Sequence, residues 1–248
     1  MTELVLMMLM NILVGVCIGL TGIAGFLLPM FYTGFLEMNS AEALALSFAA
    51  FLISGILGSV NYYRSGNLNI YTAGILSVGS FAGALAGVKI NLLIPESTMK
   101  MILYLVVLLS GISILLRKDK DVPDNGNKIK KSGIFYVTLG FVTGAVCAAS
   151  GAGGPVLVMP ILTLLGIPAH TAVGISLFDS IFIALPSTAG YLYAASGEKD
   201  IFVLLPVLLM VHGIGVYVGS RNASKINQKM LKRIVAIASI VIACIKLL

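Results

Sequence analysis

Long apolar runs separated by short polar segments dominate the pattern along this chain. Six of the runs are each long enough for a helix that crosses a bilayer, which takes about 20 apolar residues. They lie near 41–64, 70–90, 98–116, 170–194, 200–220 and 229–247. The pattern therefore predicts six uninterrupted membrane helices.

Two further apolar segments, 4–36 and 133–168, contain helix-breaking residues. The first includes TGIAGFLLP (21–29), and the second includes SGAGGPVLVMP (150–160). Glycine and proline are the least favourable residues in a helix interior. Within hydrocarbon, irregular backbone is tolerated only where protein buries it or where it lines a wet cavity. We therefore expect each segment to be a broken helix.

The segment RKDKDVPDNGNKIKKS (117–132) has the composition of a linker and divides the chain into two similar halves. Leu46-Ser47-Phe48 aligns with Ile175-Ser176-Leu177 at an offset of 129, and Tyr62 aligns with Tyr191 at the same offset. This repetition predicts a first transmembrane repeat at 1–116, a cytoplasmic linker at 117–132 and a second repeat at 133–248. Internally repeated halves are typical of transporters.

The distribution of Lys and Arg indicates how the broken segments enter the membrane, because basic residues favour the cytoplasmic side. If each broken segment crosses once, nine basic residues lie inside and seven outside. If each returns as a hairpin, twelve lie inside. The four left outside are then Lys89, Lys100, Lys199 and Lys246. The hairpin arrangement fits better, although single crossings stay open as the alternative.

The predicted fold is thus an all-α polytopic membrane protein. Its two homologous halves form an inverted repeat, each with a broken, re-entrant helical hairpin followed by three transmembrane helices.

Composition supports a multi-pass protein of the cell membrane. Hydrophobic residues make up 58% of the 248 positions and charged residues 10%, whereas soluble domains carry about 25% charged residues. The net charge of +6 is explained by loop residues that set topology and meet lipid headgroups, so nucleic acid is not an expected partner. The expected partners are membrane lipids and a small anionic substrate; a homodimer is left open.

No enzyme motif is found. The chain has two histidines, three scattered cysteines, no H-E-x-x-H, no C-x-x-C and no nucleotide-binding glycine loop. We therefore expect no catalytic residue, no metal site and no cofactor.

The glycine-rich breaks are the candidate substrate site. Gly151, Gly153 and Gly154 permit unwinding, and Pro155 suits the first turn of a restarting helix. Free N–H groups and the positive end of a helix dipole then form an anion site from backbone. Gly22 and Gly25 are the corresponding residues of the first half, and close helix packing through small residues is the alternative.

Polar residues inside the apolar runs are further candidates. Ser47 and Ser176 occupy matching positions and could donate to the substrate, or could serve only as small packing residues. Asp179 and His212 are candidates for proton coupling, and we hypothesise that they are close together and form a proton relay; structural roles are the alternative. Tyr62 and Tyr191 are interpreted as anchors at the membrane interface.

The chain resembles the TauE/SafE family of membrane transporters, which are often described as sulfite or organosulfonate exporters. The resemblance rests on GAVCAASGAGGPVLVMPILTLLGIP (144–168), AVGISL (172–177), YLYAASGEKDI (191–201) and a GxxxG followed by Lys89 or Arg221. It implies transport of a small sulfur-containing anion such as sulfite, thiosulfate or a short sulfonate. An anion channel and a carrier of a non-sulfur carboxylate are the alternatives.

Overall fold

The chain is described here by a computed structural model, which covers residues 2–22, 24–116, 132–195, 200–223 and 228–247. The elements over these residues are ten α-helices and one 3-10 turn. The helices are α1 (Thr2–Thr21), α2 (Leu27–Gly34), α3 (Ser40–Arg64), α4 (Ile70–Leu93), α5 (Glu96–Leu116), α6 (Gly133–Ser150), α7 (Gly154–Leu164), α8 (Ala169–Ala194), α9 (Asp200–Arg221) and α10 (Gln228–Leu247). Residues 117–131 of the predicted linker lie outside the described residues.

The helices follow the pattern of the sequence closely. Each of the six predicted uninterrupted helices is present, and both glycine-rich segments are broken as expected. The first break lies between α1 and α2 and contains the 3-10 turn Ala24–Phe26, and the second lies between α6 and α7. The all-helical fold class is therefore confirmed.

Polar side chains at loop ends fix where several helices begin. Asn39 accepts a hydrogen bond from the N–H of Ala41, and Asn69 accepts one from Thr72. Ser132 caps α6 in the same way. Such caps satisfy N–H groups that have no partner within the helix, so these side chains fix the first turns of the three helices.

The two halves are interleaved, because the first helix of each packs against the fourth helix of the other. In one pair, Gly79, Gly83 and Gly87 of α4 lie against the backbone of α6. In the other pair, Gly15 and Gly19 of α1 lie against the backbone of α9. Small residues let helix backbones approach closely in membranes, where lipid competes equally for apolar surface.

Helices α3 and α8 form the centre and run antiparallel. Gly55 of α3 lies against Leu177 and Ser180 of α8, whereas Gly174, near the start of α8, lies against Tyr62, near the end of α3. The two central, antiparallel helices are thus the equivalent helices of the two halves.

Helices α1 and α3 both run parallel to α9. Gly15 and Gly19 of α1 lie beside His212 and Ser220, respectively. Ser54 of α3 contacts His212, and Asn61 contacts Ser220. Since α1 and α3 share one direction, the chain has to return between them, and α2 lies on this return path.

Six helices of the described chain are long and apolar enough to cross a membrane: Thr2–Thr21, Ser40–Arg64, Ile70–Leu93, Gly133–Ser150, Ala169–Ala194 and Val203–Arg221. Helices α5 and α10 pack against each other at the side of this group. The protein is accordingly a multi-pass membrane protein.

Candidate substrate site at the helix breaks

The two helix breaks meet at one small cavity in the middle of the molecule. The described residues that line it are Ile18, Gly22, Gly25, Phe51, Ser54, Gly153, Pro155, Leu177 and Ser180. The space open to the centre of a water molecule is about 10 Å³, roughly what a single water requires. The cavity is therefore small, and it joins residues separated by more than 100 positions in the sequence.

Three glycines at the breaks have backbone conformations that other residues rarely adopt. Gly22, Gly151 and Gly153 have φ angles of 73°, 75° and 76°. A Cβ on Gly153 would lie 3.3 Å from the ring of Phe51, and one on Gly22 would lie 3.0 Å from Val173. Both the positive φ and the close contacts therefore favour glycine here.

Three glycines of the predicted site also pack closely against neighbouring side chains. Gly154 packs against Ser180 and Ile183 of α8, and Gly25 packs against the ring of Phe51. Gly151 lies against Leu44 and against Pro29 of the other break. Of the five predicted glycines, Gly22, Gly25 and Gly153 line the cavity, and Gly151 and Gly154 lie next to it.

The serines that line the cavity are not the two singled out by sequence. Ser54 and Ser180 line it. The Ser47 hydroxyl donates to the carbonyl of Ala43 at 2.7 Å, and the Ser176 hydroxyl donates to Ala172 at 2.6 Å. Ser47 and Ser176 are completely buried with their protons used inside their own helices. The structure therefore does not place either one in the cavity wall.

Helix α7 directs its N-terminus toward the cavity. Its N-cap residue Gly153 has no side chain that could accept a hydrogen bond from the first turn, and Pro155 follows within that turn. The Cys147 thiol lies under this turn and donates to the carbonyl of Gly153 at 3.2 Å. Since Gly153 and Pro155 both line the cavity, the positive end of the α7 dipole faces it.

Two tyrosines satisfy carbonyl groups just before the breaks. Tyr191 donates to the carbonyl of Ala148 at 2.8 Å, and Tyr62 donates to that of Leu20 at 3.4 Å. Both rings are buried, so their interpretation as interfacial anchors is wrong. Their shared offset of 129 in the repeat was the signal that they perform the same structural task.

His212 is buried and bonded through both ring nitrogens. Nδ1 lies 3.1 Å from the backbone carbonyl of Asn11, and Nε2 lies 2.6 Å from the Ser54 hydroxyl. Because a carbonyl can only accept, Nδ1 of the neutral ring carries a proton, and Nε2 accepts from the Ser54 hydroxyl, whose single proton also has the Ala50 carbonyl as an acceptor at 3.1 Å. Through Ser54, the imidazole is therefore connected to the cavity wall.

The Asp179 side chain faces α4, whereas His212 of α9 faces α1 and α3. The Asp179 carboxyl group faces the hydroxyls of Ser77 and Ser80 on α4. The structure does not bring Asp179 and His212 together in a hydrogen bond, because both ring nitrogens have other partners. The direct relay expected from the sequence is absent, since α8 and α9 turn these side chains toward different helices.

A larger cleft lies far from the breaks, at the outer end of α1. It is lined mainly by apolar side chains of α1 and the α2–α3 loop, together with Glu3 and Glu37. Two acidic residues disfavour an anion, and the apolar wall suits lipid. The smaller cavity is thus the better candidate for an anionic substrate.

Comparison with known proteins agrees with this architecture. The chain is 26% identical to the probable membrane transporter protein YdhB of Bacillus subtilis, covering 92% of this chain and 93% of that protein. It is also 26% identical to a probable membrane transporter protein of Haemophilus influenzae, covering 98% and 97% of the two chains. No solved structure matches the chain.

A second relative from Bacillus subtilis is the probable membrane transporter protein YjnA. It is 26% identical to this chain, and the match covers 93% of YjnA. The sequence model of the family described as "Sulfite exporter TauE/SafE" matches residues 7–245, which is nearly the whole chain. The chain therefore belongs to the TauE/SafE family and is a membrane transporter of that type.

Proposed function

We propose that this protein is a secondary transporter, not an enzyme, and that it moves a small sulfur-containing anion such as sulfite, thiosulfate or a short organosulfonate. The observation that carries the proposal is the meeting of both helix breaks at one cavity. Its wall offers a helix N-terminus, the glycine backbone and the hydroxyls of Ser54 and Ser180. Backbone N–H groups at a helix start bind oxyanions well.

The arrangement of the halves supports alternating access. Equivalent helices α3 and α8 are antiparallel, which is what two halves of opposite membrane orientation require. We infer an inverted repeat in which α1–α2 and α6–α7 enter the membrane as hairpins from opposite sides. The small cavity then has to widen to admit the anion, and rocking of one half against the other would open it to each side in turn.

Proton coupling follows from the donor and acceptor roles at Ser54. While His212 is neutral, Ser54 donates to Nε2, and its remaining lone pairs repel an anion. Once His212 is protonated, Nε2 donates to Ser54 instead, and the Ser54 proton turns from Nε2 to the anion or to the Ala50 carbonyl, which lies 3.1 Å away. Imidazolium and anion also offset each other's charge, which lowers the penalty for burying either one.

The substrate is tested by thermal unfolding of the purified protein with sulfite, thiosulfate, sulfate, taurine, isethionate, sulfoacetate and simple carboxylates. We expect at least one sulfur oxyanion to raise the melting temperature. Stabilisation by carboxylates alone would contradict the sulfur assignment but retain the anion site. In proteoliposomes, failure to accumulate the stabilising anion against its gradient under an imposed pH gradient would favour a channel.

The coupling is tested with Ser54→Ala and His212→Gln in the same proteoliposomes. A pH gradient should stimulate flux in the parent protein and lose that effect in both variants. Ser59→Ala is the matched control, because Ser59 lies on the same helix and its hydroxyl donates to the Ile56 carbonyl within that helix. Stimulation that persists in Ser54→Ala would contradict the proposed role of this hydroxyl.

A further inference from the structure

Asp179 is a completely buried carboxyl group without hydrogen-bond partners. Its side chain is 0% exposed, and neither carboxyl oxygen has a partner among the residues that the structure describes. An unpaired charge at the centre of a membrane helix costs at least about 2.5–3.5 kcal/mol. A ligand that neutralises the carboxylate is therefore to be expected.

Oxygen atoms from a neighbouring helix surround this carboxylate. The Ser77 and Ser80 hydroxyls of α4 face it, although neither reaches hydrogen-bond geometry. Ser77 is 1% exposed, and its hydroxyl also has no partner within the described part of the chain. Ser80 donates to the carbonyl of Gly140, which leaves its lone pairs free. Three buried side chains thus bring oxygen atoms with unused lone pairs close together.

We propose that Asp179, Ser77 and Ser80 form a binding site for a sodium ion. Carboxylate and hydroxyl oxygens are hard ligands, which suit hard cations better than soft metals. The single negative charge balances a monovalent ion, whereas Mg²⁺ or Ca²⁺ would leave a net positive charge in the apolar core. Of the two abundant monovalent cations, sodium is the smaller and the harder, so it suits carboxylate and hydroxyl ligands better than potassium.

The position of the site gives sodium a further consequence. Asp179 directly precedes Ser180, which lines the anion cavity, so bound sodium would offset the charge of an anion there. That consequence rests on the proposed function. Sodium binding itself does not rest on the proposed function. Asp179 faces Ser77 and Ser80 of α4, and none of these three residues lines the cavity among the described residues.

The test is thermal unfolding of the full-length purified protein at pH 8, without any transport substrate. NaCl is compared with KCl and choline chloride at constant ionic strength. We expect a saturable, sodium-specific rise in melting temperature of about 5 °C. The rise should be absent in Asp179→Asn and weakened in Ser77→Ala. It should persist in Ser187→Ala, whose hydroxyl is buried on the same helix and donates to Ile183.

Two results would overturn the proposal. One is an equal response to sodium, potassium and choline, since it would reflect ionic strength alone. The other is a rise in melting temperature on acidification from pH 8 to pH 6 that sodium does not reproduce and that Asp179→Asn abolishes, since the carboxyl group would then hold a proton.

The only other titratable side chain that the described residues place near Asp179 is Cys147 of α6, so Cys147→Ala shows how far this thiol contributes to the response. Because Ser77→Ala removes an unbonded hydroxyl, it should fold even if Asp179→Asn does not.

Discussion

Gly153 and Gly66 both have a positive φ angle but have very different surroundings. Their φ angles are 76° and 74°. A Cβ on Gly153 would press on Phe51 at the cavity, whereas one on Gly66 would meet nothing within 4 Å. The two positions therefore compare a positive-φ glycine at the candidate site with a positive-φ glycine that has open space around it.

We expect Gly153→Ala to reduce transport by at least about tenfold, because it both strains the break and displaces the cavity wall. Gly66→Ala carries only the strain and should transport close to the parent level. Anion flux in proteoliposomes, normalised to inserted protein, measures both. Similar losses in the two variants would mean that crowding at the cavity does not matter.

The two repeat serines show why matching positions do not establish a site. Ser47 and Ser176 match in sequence, and both are buried side chains whose hydroxyl bonds to its own helix. We expect Ser47→Ala to retain transport, whereas Ser54→Ala loses its pH dependence. Equal effects of the two substitutions would contradict the assignment of the cavity wall.

At the scale of elements, each helix that ends inside the molecule needs partners for its last carbonyl groups. In α6, Tyr191 and Asn91 donate to the carbonyls of Ala148 and Ala149. An unsatisfied buried carbonyl costs about 1–3 kcal/mol. The break in α6 is therefore stable only because α8 and α4 supply donors.

Tyr191→Phe is expected to destabilise the protein by about 1 kcal/mol, since it removes the hydroxyl and keeps the ring. The measurement is thermal unfolding in detergent. Tyr193→Phe serves as the control, because Tyr193 is 84% exposed. A Tyr191→Phe protein as stable as the control would show that the carbonyl of Ala148 has another donor.

The contact between α4 and α6 depends on glycine spacing. A Cβ on Gly83 would collide with the backbone of Phe141, whereas one on Gly74 of the same helix would meet nothing within 4 Å. We expect Gly83→Ala to lower the melting temperature clearly. Gly74→Ala should be neutral or slightly stabilising, because alanine is the better helix former. If Gly83→Ala melts like Gly74→Ala, the helices can separate without penalty.

At the scale of the whole molecule, the return of each broken segment decides which side of the membrane the loops occupy. Lys246 near the C-terminus donates to the carbonyl of Gly34 at 2.7 Å, so the last helix ends beside the α2–α3 loop. In a single-crossing arrangement with the linker inside, these two positions would lie on opposite sides. The contact therefore favours hairpins.

Cysteine labelling tests this topology in a variant without Cys17, Cys147 and Cys244. Glu37→Cys should react with an impermeant maleimide added outside intact cells. Leu164→Cys, at a position that is 76% exposed, should react only after permeabilisation, because the proposed hairpin would return α7 to the cytoplasmic side. Labelling of Leu164→Cys from outside would support single crossings.

The sequence by itself determined the helices, the two breaks and the family. Apolar runs of membrane length leave the backbone no alternative to helix, and glycine with proline interrupts such runs wherever they occur. These are local properties, so the segments could be read from residue order, and the repeat identified equivalent positions.

Only the tertiary structure decided which side chains share a site. The cavity combines Gly22, Gly153 and Ser54 from segments distant in sequence, and the interleaving of the halves is what brings them together. Asp179 and His212 looked like a pair because both are polar and deep in one half. Their helices turn them toward different neighbours, and that rotation depends on packing between halves, which the pattern along a single chain does not specify.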